Sequence, residues 1–441
     1  MRILIVSRYF PPANTMAAVR LGKLARHLVG SGHDVRVLTE PADAGDLSLP
    51  VELDAAQIER VAIRQRNGLP RRAERRSVSR LETAPGAVSP SAVQGKRSQR
   101  LVSRIYADIV SFPDKSVAWL APMTTALRRR CATSRPDLLY VSGPPFSPFI
   151  GVSRVARSYG IPWVAEFRDR WADDPYTTRT AGRRWLDSAL ERWVLRDVAG
   201  IVTVSDPWAR DFADKFGVPV KTVMNGLDTA AEPPSPTASP TPGLPLRLLH
   251  CGTIYRERRD PGALFSAIRH GGFAPSEVQV VFHGPPSAYL ARQVASYGVA
   301  DFVDIRGPVP HHVALRLQQA SDVLLLLQWN DPRDNGNVPG KTFEYFAARR
   351  PILGMGPLQG IPATLIRSRG AGLFSNDPSE IAAYLGARIT EKRQTGVIPA
   401  LPASVTVGLD RDAQLTGLAR FLAGLLQPET SHSADIAEAV N

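Results

Sequence analysis

Cysteine is scarce in this chain of 441 residues: Cys131 and Cys251 are far apart and lack the paired spacing of a zinc or redox centre. A disulfide framework and a cysteine-bound metal are therefore not expected to hold the fold. Long apolar runs are lacking as well, and none approaches the roughly 20 residues of a membrane-spanning helix. The opening MRILIVSRYF is apolar at 3–6 but meets Ser7 and Arg8 at once, too early for the core of a secretion signal. A reduced, cytoplasmic setting is the expectation. Asp-x-Asp pairs at strand ends, which could bridge a diphosphate through a divalent ion, are also wanting, so no metal site is predicted.

What the chain has in excess is positive charge, a formal +13. Most of it falls in one segment, where Arg64, Arg66, Arg71, Arg72, Arg75, Arg76, Arg80, Lys96, Arg97, Arg100 and Arg104 face only Glu74 and Glu82. Between Arg64 and Arg104 there is no aromatic residue to stack on a base, which argues against nucleic acid. The segment reads as a basic insertion at about 64–106. Either it is a solvated loop, or it is drawn to an anionic membrane surface or a phosphorylated acceptor.

Elsewhere strands and helices alternate. Apolar runs at 3–6, 35–38, 138–141, 163–167 and 201–204 predict strands, and helical spacing of Ala17, Leu21, Leu24, Ala25 and Leu28 predicts a helix after the first. The stretch 229–245 is rich in proline and reads as a linker. Alternation resumes with strands at 246–250, 278–282, 302–305, 323–327 and 352–353, and helices at 261–268, 311–319 and 342–348. Leu415, Leu418, Leu422 and Leu425 form the stripe of a closing helix. The pattern predicts an α/β protein with two Rossmann-like doubly wound domains. Their bounds are 1–228 and 246–410, followed by a helix at 411–427 and a disordered tail at 428–441.

Ligands bind such sheets at the carboxyl ends of the strands, and the chemically loaded loops fall there. The sequence NGNVPGKTFEYFAARRPIL at 335–353 follows the strand at 323–327. Val338, Pro339 and Gly340 lead into a helix whose first N–H groups, at Gly340 to Thr342, can hold a phosphate closely. Lys341 adds a full charge to the same anion, and Glu344 lies one turn on, where it can accept from a sugar's hydroxyls. An ordinary helix with a charged first turn is the plain alternative. Gly252, Thr253, Arg256, Arg258 and Arg259 in HCGTIYRERRDP follow the strand at 246–250, and Gly284 follows that at 278–282. Arg168, Asp169 and Trp171 in EFRDRW follow the strand at 163–167. For Arg168 and Asp169 the alternative is a structural ion pair, and for Trp171 it is packing.

The motifs ILIVSRYFPP, GHDVRVLT, PWVAEFRDRW, IVTVSDPW, VMNGLD, HCGTIYRERRDP and PGKTFEYFAARRPIL together resemble glycosyltransferase family 4, in the branch that builds bacterial surface polysaccharides and glycoconjugates. The resemblance implies a GT-B fold, two Rossmann-like domains facing across a cleft, and a retaining, metal-independent transfer of a sugar from a nucleoside-diphosphate sugar to a glycan or lipid-linked acceptor. The nucleotide sugar is a substrate, and no cofactor is implied. The family's pyrophosphate-binding basic pair maps onto Arg259, with Arg258 and Arg256 as alternatives, and Lys341. Its ribose-binding glutamate maps onto Glu344. A second glutamate is expected eight residues earlier, where this chain has Gly336, and Asp334 is the nearest carboxylate to take its place. The family's N-terminal histidine has no counterpart in SGPPFSP, which turns attention to Arg168 and Asp169 as the groups on the acceptor side. Two other readings stay open: a non-catalytic nucleotide-sugar-binding or assembly protein of the same fold, and a GT-B-type sugar-nucleotide epimerase.

Overall fold

The computed structural model describes residues 1–42, 47–63, 112–177, 179–227, 242–255 and 258–427. The insertion at 64–106, Arg256, the proline-rich stretch up to 241 and the tail at 428–441 lie outside the described residues. The described residues separate into two compact units. The first comprises those of Met1–Val202, Lys215–Pro219 and the chain from Phe421, and the second comprises Thr203–Asp214 and those of Val220–Arg420.

One sheet has seven strands: β1 (Arg2–Ser7), β2 (Asp34–Thr39), β3 (Ile58–Arg60), β4 (Leu138–Gly143), β5 (Trp163–Phe167), β6 (Gly200–Thr203) and β7 (Val220–Thr222). Their order is β3-β2-β1-β4-β5-β6-β7, and β1 pairs in parallel with both β2 and β4. The helices connecting them are α1 (Met16–Gly30), α2 (Val117–Thr133), α3 (Ser147–Tyr159), α4 (Ala181–Leu195) and α5 (Asp206–Phe216). Helix α1 starts where Thr15 Oγ1 accepts from Ala18 N at 3.2 Å, and it buries Ala17, Leu21, Leu24, Ala25 and Leu28 on the sheet.

The other sheet has six strands: β8 (Leu246–Cys251), β9 (Val278–His283), β10 (Val303–Arg306), β11 (Val323–Leu327), β12 (Ile352–Met355) and β13 (Gly372–Phe374), in the order β10-β9-β8-β11-β12-β13. Its helices are α6 (Gly262–His270), α7 (Ala288–Tyr297), α8 (His311–Ala320), α9 (Gly340–Ala348), α10 (Ile361–Ser368) and α11 (Pro378–Thr395), and α12 (Arg411–Gly424) closes the described chain. Strand β11 is apolar at every position because helices cover both faces of the sheet. Leu325 and Leu327 pack with Leu248, Phe265, Val280 and Leu385 on one side. Leu324 and Leu326 pack with Leu249, Phe343, Phe346 and Ile366 on the other. Each such side chain contributes about 1.5–3 kcal/mol of burial. The chain winds in opposite directions from β8 and β11, so the loops leaving these two neighbours part at their carboxyl ends and leave a crevice. The same reversal occurs between β1 and β4.

Candidate active site

In the second unit the crevice at β8 and β11 is built around Lys341, the second residue of α9. Its Nζ donates to Cys251 O at 2.8 Å and stands 3.5 Å from His250 Nε2. His250 is fully buried, and its Nδ1 lies 2.9 Å from Leu325 O. A carbonyl only accepts, so Nδ1 carries the proton. Burial, followed by the neighbouring Lys341, holds the His250 pKa well below 6.5, so the ring is neutral and turns its Nε2 lone pair toward the ammonium. The link from His250 to Leu325 also ties β8 to β11 across the crevice.

Lys341 is half-buried, and burial together with the positive charge of Arg259 lowers its pKa from 10.5 to about 7. Arg259 is held nearby: Nη1 donates to Thr253 O at 2.8 Å, and the guanidinium lies 4.5 Å from the centroid of the Tyr255 ring. Among the described residues neither Lys341 nor Arg259 is within ion-pair distance of a carboxylate. Two cations thus converge on one crevice with no carboxylate paired to either among the described residues, and Glu344 acts on Lys341 only through space. The mouth of α9 adds to them, since no side chain among the described residues caps it and its N-cap is Pro339, which has no N–H of its own to offer. Val338 and Thr342, on either side of this turn, are buried and fix its path.

Two glycines give the crevice its floor. Gly252 has φ +137°, and a Cβ built there would lie 2.6 Å from Lys341 Nζ. A Cβ on Gly284 would lie 2.4 Å from Gly252 O, so the turns after β8 and β9 meet backbone to backbone.

Glu344 lies one turn inside α9. Its Oε1 is 3.1 Å from His311 Nε2, and its Oε2 accepts from Gln318 Nε2 at 3.0 Å. Burial disfavours its charge, but the His311 and Gln318 hydrogen bonds outweigh that and hold the carboxyl below its ordinary range. The carboxylate stays ionised and keeps lone pairs for further donors. Arg258 takes a different place from Arg259: it stands 4.8 Å from the centroid of Trp329, which also has Arg333 at 4.9 Å.

Asp334 is buried, with 1% of its surface exposed. At Gly336 a Cβ would lie 2.2 Å from Trp208 Nε1, inside the indole's own volume. The missing glutamate is thus a steric fact of this chain as well as a sequence difference. Gly336→Glu is expected to destabilise the protein by about 1–3 kcal/mol through overpacking. Differential scanning calorimetry would register a lowered melting temperature, and an unchanged one would show that the indole yields.

In the first unit Arg168 and Asp169 leave the end of β5. Arg168 N donates to Gly143 O at 3.0 Å and its guanidinium donates to Pro144 O, with burial lowering its pKa. Asp169 keeps solvent-exposed surface although protein crowds it, and that crowding, opposed by Arg168, raises its pKa. Beneath them Glu166 is fully buried and accepts from Arg20 Nε at 2.8 Å, Tyr140 Oη at 2.7 Å and Ser142 Oγ. This network locks the ends of β4 and β5 and so fixes where Arg168 and Asp169 emerge. Trp171 is 1% exposed and stacks on Phe146 at 5.1 Å with an interplanar angle of 2°, inside an aromatic core with Phe149 and Phe167. The mouth of α3 is closed, because Asp114 Oδ2 accepts from Phe146 N at 2.6 Å and Ser147 N at 2.8 Å. A carboxylate fills the position that α9 leaves open for an anion.

Sequence reasoning missed His250, Trp329, Gln318 and His311; only the HCGT context hinted at the first. Among the described residues no group of three or more His, Cys, Asp or Glu is arranged to hold a metal ion, and no helix is long and apolar enough to cross a membrane.

Comparison with solved structures matches the whole architecture. Sucrose-phosphate synthase from Thermosynechococcus elongatus superposes with a TM-score of 0.61 at 12% identity, over 96% of this chain and 99% of that one. The Anabaena protein HepE, solved in complex with UDP and glucose, gives 0.61 at 14% identity over 96% and 100%. Two parallel doubly wound sheets of this kind define the GT-B fold. Residues 17–228 match the glycosyl transferase 4-like domain, and a 2-deoxystreptamine glucosyltransferase from Streptomyces kanamyceticus is 27% identical over 281 residues, covering 57% of this chain and 68% of that protein. The domain at 17–228, the glucosyltransferase relative and the GT-B fold together support a glycosyltransferase of the family 4 type.

Proposed function

We propose that the protein transfers a sugar, with retention of configuration, from a nucleoside-diphosphate sugar to a glycan or lipid-linked acceptor in the synthesis of surface polysaccharide or glycoconjugate. The observation that carries the reading is the convergence of Lys341, Arg259 and the uncapped mouth of α9 on one crevice with no carboxylate paired to either cation among the described residues. A diphosphate supplies the missing negative charge. The solved HepE, which holds UDP and glucose, supports a uridine nucleotide as the first donor to test.

In this reading Glu344 accepts from the ribose hydroxyls, and Gly252, Thr253 and Gly284 shape the turns around the phosphates. The bond between the anomeric carbon and the β-phosphate oxygen breaks, and its electrons go to the departing diphosphate. Lys341 and Arg259 neutralise that charge from fixed positions, so little reorganisation is needed. The acceptor oxygen bonds to the same face of the anomeric carbon and passes its proton to the leaving phosphate. Arg168 and Asp169 orient the acceptor. The enzyme works on the inner face of the cell membrane, where a lipid-linked acceptor would reside.

The test is a panel of nucleotide sugars incubated with the full chain, with and without membrane extract as acceptor, in EDTA. Release of the nucleoside diphosphate that rises with acceptor, and an NMR coupling constant showing the donor's own anomeric configuration in the product, are expected. Epimerised donor, binding without turnover, or activity that returns only with Mn²⁺ or Mg²⁺ would each overturn a stated part of the reading.

A further inference from the structure

Helix α4 in the first unit has its polarity reversed as far as its last turn, where Val194 and Leu195 are buried. Its two carboxylates point inward: Asp187 is fully buried and accepts from Arg183 Nε and Arg179 Nη1, each at 2.9 Å, while Glu191 is 1% exposed and accepts from Lys215 Nζ at 2.6 Å. Its two tryptophans and Leu186 point outward, with Trp185 69% exposed, Leu186 47% and Trp193 36%. Trp185 and Trp193 are eight positions apart and so share one face.

Arginine surrounds them. Arg184, Arg192 and Arg196 are exposed along the helix and its C-cap. The guanidinium groups of Arg154, Arg157 and Arg196 lie 5.5, 5.7 and 5.1 Å from the centroid of the Trp193 ring. Facing these cations, the exposed carboxylate of the stretch from Ala181 to Asp197 is Asp197, paired with Arg157 at 2.5 Å. A solvated helix keeps its acids outside and its tryptophans inside, and here both choices are inverted.

We propose that this face of α4, with Arg154 and Arg157 of α3, docks the protein on an anionic lipid surface. Trp185 and Trp193 would enter the interface with their apolar rings, as amphipathic indoles do. The arginines would reach the headgroups, and the inward turn of Asp187 and Glu191 removes the repulsion that surface carboxylates would add. The opposite charge of the surface, met by an apolar centre, is what selects lipid over a second protein chain. This docking does not depend on the transfer reaction, since vesicle binding needs neither donor nor acceptor.

The experiment is co-sedimentation of the full chain with vesicles of equimolar phosphatidylcholine and phosphatidylglycerol, with tryptophan emission recorded alongside. Wild type should bind at low salt with a blue shift, release at high salt as screening sets in, and ignore pure phosphatidylcholine. Trp185→Ala with Trp193→Ala should weaken binding by roughly tenfold or more and remove the blue shift. Arg192→Gln with Arg196→Gln should weaken binding while leaving a smaller blue shift. Because Trp193 packs under three arginines, the single Trp185→Ser variant, on the most exposed residue, repeats the test should the double variant fold poorly. No binding by wild type to anionic vesicles would overturn the proposal. So would unchanged binding by the tryptophan variants, which would put the contact elsewhere, for example at 64–106. A fall in oligomeric mass on ultracentrifugation without a change in vesicle binding would also overturn it and identify a self-association surface instead.

Discussion

Lys341→Met is expected to lower kcat/KM for the nucleotide-sugar donor by about 30- to 1,000-fold, the equivalent of about 2–4 kcal/mol of transition-state stabilisation, while raising thermal stability. The first effect follows from removing the charge that would meet the departing diphosphate. The second follows from the cost of burying that charge and holding it beside Arg259, which Glu344 offsets only in part. Burial, and then Arg259, lowers the Lys341 pKa from 10.5 to about 7. Between these values the unfolded chain binds the proton and the folded one does not. Stability contributed by this group therefore rises with pH across that window, and its full cost is present below about 7. The methionine variant should lose that slope and melt roughly 2–4 °C higher at neutral pH, the shift that about 1 kcal/mol produces in a domain of this size. Donor binding runs the other way. A diphosphate favours the charged form, so affinity should fall by up to about tenfold per pH unit above pH 7, the signature of one proton taken up on binding. Calorimetric titration of UDP in buffers of different ionisation enthalpy would measure that proton. Near wild-type turnover by the variant would remove Lys341 from the phosphate site, and a lowered melting temperature would contradict the burial argument.

Much of this site was legible because strand ends are local features. The buried run Val323–Leu327 and the loop PGKT are read from adjacent residues, and Lys341, Arg259 and Gly252 do stand together at the carboxyl ends of β8 and β11. What was not legible depends on partners distant in sequence. His250 acquires its fixed tautomer from Leu325 and its low pKa from burial beside Lys341, neither of which the triplet HCG reveals. Glu344 is held by His311 and Gln318 from a helix that precedes it by some twenty-five residues or more. Whole helices were missed for the same kind of reason. Helix α2 contains Pro122, which reads as a breaker, yet buries Trp119, Met123, Leu127 and Cys131 along one side. Helix α4 defeats hydrophobic periodicity outright, because its acids are inside and its tryptophans outside. A sequence pattern reports a helix readily when its polarity follows the usual rule, and this helix departs from that rule until Val194 and Leu195 in its last turn.

Gly252→Ala is expected to damage both folding and catalysis, and the two losses should separate experimentally. At φ +137° an alanine is strained wherever its methyl goes, a cost of about 1–3 kcal/mol that calorimetry would record as a lowered melting temperature. The methyl would also occupy a point 2.6 Å from Lys341 Nζ, and the flexible lysine would yield before the backbone does. Displacing the ammonium breaks its 2.8 Å bond to Cys251 O and moves the charge away from the mouth of α9. A shift of about 1 Å in such a group costs on the order of 10²-fold in rate. If the loss of activity acts through Lys341, it should vanish once the lysine is gone. Thus Gly252→Ala in the Lys341→Met background should reduce turnover little further, with a coupling of about 1 kcal/mol or more between the two positions. The strain on the backbone does not involve the ammonium, so the two stability changes, a loss at Gly252 and a gain at Lys341, should remain close to additive. Additive losses of activity, or wild-type turnover by Gly252→Ala alone, would show that the glycine serves only the turn. Coupled activity with additive stability would instead identify Gly252 as the residue that leaves room for the cation.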